Sequence, residues 1–130
     1  MKIYETRTRV RYAETDASGI VYYGAYFVYF ELGRVEMFRQ LGLVYDRHLP
    51  IADTACRYRA SARFDDELLI STWVQELRRK GFVLGSRVER LGDGGGRELL
   101  VEGHTGMVTA DDQGHPVPLP DAFARALGEG

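Results

Sequence analysis

The sequence has a single cysteine, Cys56, so no intrachain disulfide is possible and nothing in it points to an oxidising compartment. It has no apolar run long enough to span a bilayer. Its first ten residues carry Lys2, Glu5, Arg7 and Arg9 where a signal peptide needs an apolar stretch. There is no excess of positive charge: 17 Lys and Arg stand against 19 Asp and Glu, a formal net charge of −2. That balance argues against a chain organised around nucleic acid, although it leaves room for a local basic patch that meets a phosphorylated ligand. No G-x-S-x-G elbow and no P-loop pattern is present. His48, His104 and His115 lack metal-ligand spacing and cysteine companions, so no metal centre is expected. Together these absences predict a cytoplasmic protein with no nucleic-acid partner and no membrane segment.

What is present is a strand-rich chain of 130 residues, the length of one domain. Residues 3–12 alternate, with Thr6, Thr8, Val10 and Tyr12 on one side and Arg7, Arg9 and Arg11 on the other, which predicts a strand with one wet face. From Gly24 to Leu41 the period changes. Phe27, Phe30, Arg34, Phe38 and Leu41 recur at helical steps, with Met37 widening the stripe, and Gly42 is placed to end the helix. Gly33 weakens such a helix by about 1 kcal/mol relative to alanine. Its presence suggests close approach to another backbone, as when a sheet wraps the helix. Strands follow at 51–61, 67–77, 81–91 and 97–109, the last three as a meander of antiparallel hairpins with turns at Arg79–Gly81 and Gly92–Gly96. A short helix, Asp121 to Leu127, closes the chain. The expected class is α+β. One long helix cannot cover both faces of a five-stranded sheet, so oligomerisation is expected.

The chemistry-bearing segment is the junction at residues 12–24. Asp16 sits in a loop with Ser18 and Gly19 just before the long helix. Local physics allows two readings: an aspartate making an Asx-turn or complementing the helix dipole, or a carboxylate facing the unpaired N–H groups of the helix start. The second arrangement suits a thioester carbonyl as its oxygen becomes negative. Spacing alone does not choose between them. Cys56 falls in an expected strand and reads as a buried, inert thiol.

The segment YAETDASGIVYYGAYFVYFELGRVEMF, residues 12–38, resembles the signature of the 4-hydroxybenzoyl-CoA thioesterase family of hotdog proteins. Within that family it looks most like the branch of short-chain acyl-CoA thioesterases associated with the bacterial Tol-Pal system. The likeness continues through YRASARFDDELLISTWV and ELRRKGFVLGSRV. This resemblance implies a hotdog fold, a long helix wrapped by a five-stranded antiparallel sheet, in a dimer paired edge to edge or a dimer of dimers, a homotetramer. It implies an acyl-CoA substrate and no cofactor. Asp16 matches the catalytic carboxylate, as nucleophile or general base, and the backbone N–H of Tyr23 matches the group that polarises the carbonyl. Glu31 matches the position that recognises the phenol of 4-hydroxybenzoyl-CoA, but the named enzyme has an aspartate there. The longer side chain makes Glu31 a pocket or helix-packing carboxylate ranked below Asp16. Arg78, Arg79 and Lys80 match a basic turn that meets coenzyme A phosphates in relatives, and Ser61 and Arg63 lie near the expected pantetheine path. Rival readings are a carrier-protein thioesterase, a non-catalytic acyl-thioester scaffold, and a hotdog dehydratase. Residues 12–38 contain no histidine, which counts against the dehydratase.

Overall fold

The computed structural model describes residues 1–128. Five strands, β1 (Tyr4–Arg9), β2 (Ile51–Tyr58), β3 (Glu67–Arg78), β4 (Gly81–Leu91) and β5 (Arg97–Val108), make one antiparallel sheet in the order β1-β3-β4-β5-β2. Helix α1 (Ala25–Leu41) lies across one face, and α2 (Asp121–Gly128) closes one end. This is the helix-in-sheet arrangement implied by the family resemblance. The meander is present: β3 pairs with β4 from Leu68 opposite Arg90 to Arg78 opposite Gly81, and β4 pairs with β5. β1 and β2 occupy the two edges.

The first strand is shorter than the alternation of residues 3–12 suggests. Pairing stops at Arg9, and Tyr12–Glu14 form a single 3-10 turn that leaves Tyr12 77% exposed. The Glu14 carboxylate accepts hydrogen bonds from the Arg11 backbone N–H at 2.9 Å and from the Arg11 guanidinium at 2.9 and 3.1 Å. That local bond turns the chain out of the sheet and starts the loop that carries Asp16. At its other end α1 stops as the sequence suggests. Gly42 adopts φ 70°, its N–H reaches the Arg39 carbonyl, and the Leu43 N–H reaches the Phe38 carbonyl.

The buried stripe of α1 is Tyr26, Tyr29, Phe30, Gly33, Arg34, Met37 and Phe38. It contacts two apolar clusters. One gathers Tyr26, Tyr29 and Phe30 with Leu68, Ile70, Val88 and Val101. The other gathers Met37 and Phe38 with Phe82, Leu84, Met107 and Leu127. A polar belt separates them. Thr72 and Ser86 are register partners and Thr105 lies nearby on β5; all three are fully buried. The Arg34 guanidinium, 2% exposed, donates to the Tyr45 hydroxyl at 3.2 Å and to Thr105 Oγ1 at 3.3 Å. A cation therefore belongs on an otherwise apolar helix face, because it meets hydroxyl groups rather than hydrocarbon.

Gly33 sits above this belt. A Cβ there would overlap Thr72 Oγ1 and lie 2.8 Å from Ile70 Cγ2. The helix thus comes close enough to β3 that only glycine fits, which is the backbone approach expected from the sequence. The Gly33→Val variant is expected to lower the free energy of unfolding by about 2–3 kcal/mol through overpacking, outweighing a gain in helix propensity of roughly 0.4 kcal/mol. Denaturant unfolding measures it, and a stability equal to or above wild type contradicts the close approach.

Candidate active site

The loop after the 3-10 turn is a tight excursion held at both ends. Thr15 bridges Val21, Ile20 bridges Arg63, and the Val21 N–H donates to the Ala62 carbonyl at 2.9 Å. Asp16 lies at its base: its N–H donates to the Ile20 carbonyl at 2.8 Å and its carbonyl accepts from Gly19 at 3.0 Å. Gly19 takes φ 81°, a left-handed conformation that a side chain would strain. The Ser18 N–H donates to Asp16 Oδ1 at 2.8 Å. The Asx-turn reading of Asp16 therefore holds, and it uses only one carboxylate oxygen. Oδ2 has no hydrogen-bond partner among the described residues, and the side chain is exposed.

The loop is tied to α1 through Glu14. Besides gripping Arg11, this carboxylate accepts a hydrogen bond from the Tyr29 hydroxyl at 2.8 Å, and the Glu14 carbonyl accepts from the Tyr22 N–H at 2.8 Å. Burial alone would raise the Glu14 pKa. The hydrogen bonds from the Arg11 N–H and the Tyr29 hydroxyl, with the Arg11 charge, outweigh burial and hold it below the ordinary 4.5. Burial and the adjacent carboxylate push the Tyr29 phenol well above its usual range, so it remains a donor.

Across from Asp16 lies the start of α1. The N-cap Gly24 has no side chain to satisfy the helix N–H groups, and those of Tyr23 and Gly24 find no acceptor among the described residues. The Tyr23 carbonyl is fixed by the Tyr58 hydroxyl, which donates to it at 2.9 Å. The Tyr26 hydroxyl accepts from the Ala62 N–H at 2.9 Å, and burial raises its pKa. Asp16, Tyr23, Tyr26, Tyr58, Arg59 and Ser61 line one cleft of about 390 Å³. A residue with an unpartnered carboxylate oxygen, Asp16, and a residue with an unpaired backbone donor, Tyr23, thus line one cavity, and acyl transfer uses groups of these two kinds.

The other residues singled out from the sequence lie elsewhere in the chain. Glu31 is exposed on the flank of α1 facing β1, in a separate cavity of about 310 Å³ with Thr6, Arg7 and Arg39. It therefore sits toward the opposite edge of the sheet from Tyr58 and the Asp16 cleft. Arg78, Arg79 and Lys80 form the β3–β4 turn, with exposed side chains. The carbonyls of Arg79 and Lys80 accept from the N–H groups of Leu119 and Thr109, and Arg78 pairs with Glu76 at 2.5 Å. Tyr58 is in register with Val101 and Val88, and from Val88 to the turn at Gly81 is about 23 Å along β4. One chain does not bring this turn to the cleft. Ser61 does line the cleft, and Arg63 bridges the loop of Asp16 at Ile20. Tyr58 and Arg59 escaped sequence reasoning. The alternation of β2, which turns Cys56 and Tyr58 toward the helix, is the signal that could have found Tyr58.

The model of the thioesterase superfamily matches residues 18–96. A putative acyl-CoA thioesterase, YneP, of Bacillus subtilis is 30% identical over 58% of this chain, and the match spans 59% of that protein's length. The acyl-CoA thioesterase YbgC of Haemophilus influenzae is 33% identical over 92% of this chain and 90% of its own. Among solved structures, the 4-hydroxybenzoyl-CoA thioesterase of Pseudomonas sp. strain CBS-3 superimposes with a TM-score of 0.86 at 25% identity, covering 97% of this chain and 99% of that one.

The Tyr29→Phe variant is expected to lose about 1–2 kcal/mol, the cost of one hydrogen bond to a charged group. The Glu14 contribution is complete above the unfolded pKa and fades as pH falls through the lowered folded value. Removing the Tyr29 hydroxyl raises that folded value toward the unfolded one, so the variant loses less stability on acidification and its deficit against wild type narrows as pH falls. Unfolding measured across pH 3–7 checks both effects, and superimposable curves would contradict the tether.

Proposed function

Because the chain belongs to the thioesterase superfamily, we propose that it hydrolyses acyl-CoA thioesters to a free acid and coenzyme A, with Asp16 as the reacting carboxylate. One observation carries the reading: Asp16, with one carboxylate oxygen unpartnered, and Tyr23, whose N–H finds no acceptor among the described residues, line the same cleft. The acyl-CoA thioesterases among its relatives support the substrate class.

In this reading the thioester enters the cleft with its carbonyl oxygen toward the start of α1. The Tyr23 N–H donates to that oxygen and polarises the carbonyl, and it stabilises the negative charge that grows as the carbon becomes tetrahedral. This role belongs to the main chain, so the exposed Tyr23 side chain has no part in it. The hydrogen bond from Tyr58 to the Tyr23 carbonyl orients the peptide unit on the helix side of that residue. The Ser18 N–H holds Oδ1 and leaves Oδ2 to act. Two routes use the same carboxylate. In one, Oδ2 attacks the carbonyl carbon, the sulfur leaves as a thiolate, and water hydrolyses the resulting anhydride. In the other, Asp16 takes a proton from water as that water attacks, and the proton goes to the departing thiolate.

The cleft is built at one end of an edge strand, which supports an oligomer whose subunits meet there. β2 pairs only with β5, its residues are largely exposed, and Ile51 and Tyr58 are 48% and 45% exposed. A long open edge with apolar side chains is a template for a second strand. Antiparallel pairing of β2 with its copy would extend the sheet and bring the start of the partner's β2 beside each Tyr58. The partner's Arg78, Arg79 and Lys80 then lie at the same end of the sheet as this chain's cleft, with sites at the interface.

Thiol release from a panel of acyl-CoAs tests the proposal. Wild type is expected to turn over at least one, and Asp16→Asn to lose about 10²–10⁴-fold in kcat with its fold intact. Light scattering on the same preparation is expected to give the mass of a dimer or tetramer. Full activity in Asp16→Asn removes the mechanism; absence of turnover on every thioester favours a binding scaffold, and a monomer removes the interface.

A further inference from the structure

Three tyrosines pack in a row between the first turns of α1 and the end of β2. Tyr26 meets Tyr29 edge to face, with ring centroids 5.6 Å apart, and meets Tyr58 in the same way at 5.7 Å. Their hydroxyl groups are not used alike. Tyr29 donates to the Glu14 carboxylate and Tyr58 donates to the Tyr23 carbonyl. The Tyr26 hydroxyl instead accepts, from the Ala62 N–H at 2.9 Å. A main-chain N–H occupies a lone pair and leaves the phenol proton free to donate. That proton has no acceptor among the described residues, and the proposed hydrolysis makes no use of it.

Tyr26 is 2% exposed and lines the cleft that Asp16 and Tyr23 also line. Two rings and the Ala62 N–H hold it in place. Burial raises its pKa, so the proton stays on the oxygen at neutral pH. Ile20, Val21 and Ala60 supply apolar wall to the same cleft. When hydrocarbon displaces water from such a place, a donor without an acceptor costs free energy, whereas a ligand oxygen satisfies it. A site holding a donor of this kind discriminates strongly between ligands with and without an acceptor. Asp16 already brings a carboxylate to the cleft, and Arg59 is paired with Glu102 at 2.6 Å. The acceptor that fits is therefore a neutral oxygen and not a second carboxylate.

We infer that Tyr26 is a specificity-determining donor, and that the cleft prefers acyl groups with a hydroxyl or oxo oxygen one or two carbons from the thioester carbon over alkyl groups of the same length. The inference rests on the acyl-CoA reading of the Asp16 cleft. Tyr26 follows Tyr23 by three residues, about 4.5 Å of helix rise, and a helical side chain leans back toward the N-terminus. With the thioester carbonyl at the start of α1, the first carbons of the acyl group lie at the height of this side chain. An oxygen on them accepts the Tyr26 proton; a methylene there leaves it unsatisfied.

Thiol release gives kcat/KM for 2-hydroxybutyryl-CoA, 3-hydroxybutyryl-CoA and acetoacetyl-CoA relative to butyryl-CoA. Wild type is expected to favour at least one oxygenated substrate by about tenfold or more, and Tyr26→Phe to bring that ratio to about one. The variant also leaves the Ala62 N–H without its acceptor, but a purely structural loss lowers every substrate alike and does not move the ratio. Tyr58→Phe, which removes the neighbouring hydroxyl, is expected to slow all four substrates and keep the preference. Calorimetric titration of Asp16→Asn with the same thioesters reads the preference as a ratio of Kd values without turnover. The wild-type ratios and these Kd values need no change at position 26. The inference is overturned by ratios near one in wild type, by a preference that survives in Tyr26→Phe, or by one lost instead in Tyr58→Phe. Tighter binding of an oxygenated thioester, in a protein that turns over none, would leave the Tyr26 donor standing and remove the hydrolysis reading. Turnover of all four substrates at equal kcat/KM would do the reverse.

Discussion

The hydrogen bond from the Tyr29 hydroxyl to the Glu14 carboxylate joins the two halves of the site. Tyr29 is fully buried one turn inside α1, and Glu14 ends the 3-10 turn that begins the Asp16 loop. Because the helix cannot shift without carrying Tyr29, and the loop cannot shift without carrying Glu14, the distance between Asp16 and the helix start is set by a contact in which neither takes part. The Tyr22 N–H to Glu14 carbonyl bond closes the same ring through the main chain. A carboxylate that makes an Asx-turn with one oxygen is thereby held at a fixed place relative to the helix start. In the proposed hydrolysis, that placement is what gives a residue type common near helix starts a chemical role.

That tether is only as firm as the seating of α1 on the sheet. The helix is held by apolar contact at both ends and by steric fit in the middle, where Gly33 meets Thr72 and Ile70. The polar belt beneath it buries the hydroxyls of Thr72 and Ser86 without a partner among the described residues. Such groups cost stability in place of hydrocarbon, and they mark where the helix register against β3 and β4 is defined by shape and polarity together. A slip of one residue would set Arg34 against hydrocarbon and a side chain against β3. The position of Tyr23 at the head of the helix follows from that register.

Much of this was legible in the sequence, for reasons that are local. The period of residues 24–41, the left-handed Gly42 and the paired strands of the meander are dictated by near neighbours, and the structure has each of them within a few residues. Asp16 was legible as a candidate because loop, glycine and helix start are consecutive. Local pattern misjudged the end of β1, where the Arg11–Glu14 bond overrides alternation, and it set Phe27 on the helix stripe where Tyr26 and Tyr29 are buried deeper. What it did not contain was the order of strands. With β1 and β2 on opposite edges, Glu31 turns toward one edge and the Asp16 cleft opens at the other, while Arg78–Lys80 fall at the wrong end of their own chain. The approach of Tyr58 and Arg59 to the cleft likewise depends on pairing between β2 and β5, which are distant in sequence.

The most direct measurement is a crystal structure of the Asp16→Asn variant with an intact acyl-CoA bound. The account predicts the thioester carbonyl oxygen within about 3 Å of the Tyr23 N–H and the side chain at position 16 about 3–3.5 Å from the carbonyl carbon. A thioester bound with its carbonyl pointing away from the start of α1, or a side chain at position 16 turned out of the cleft, would contradict it.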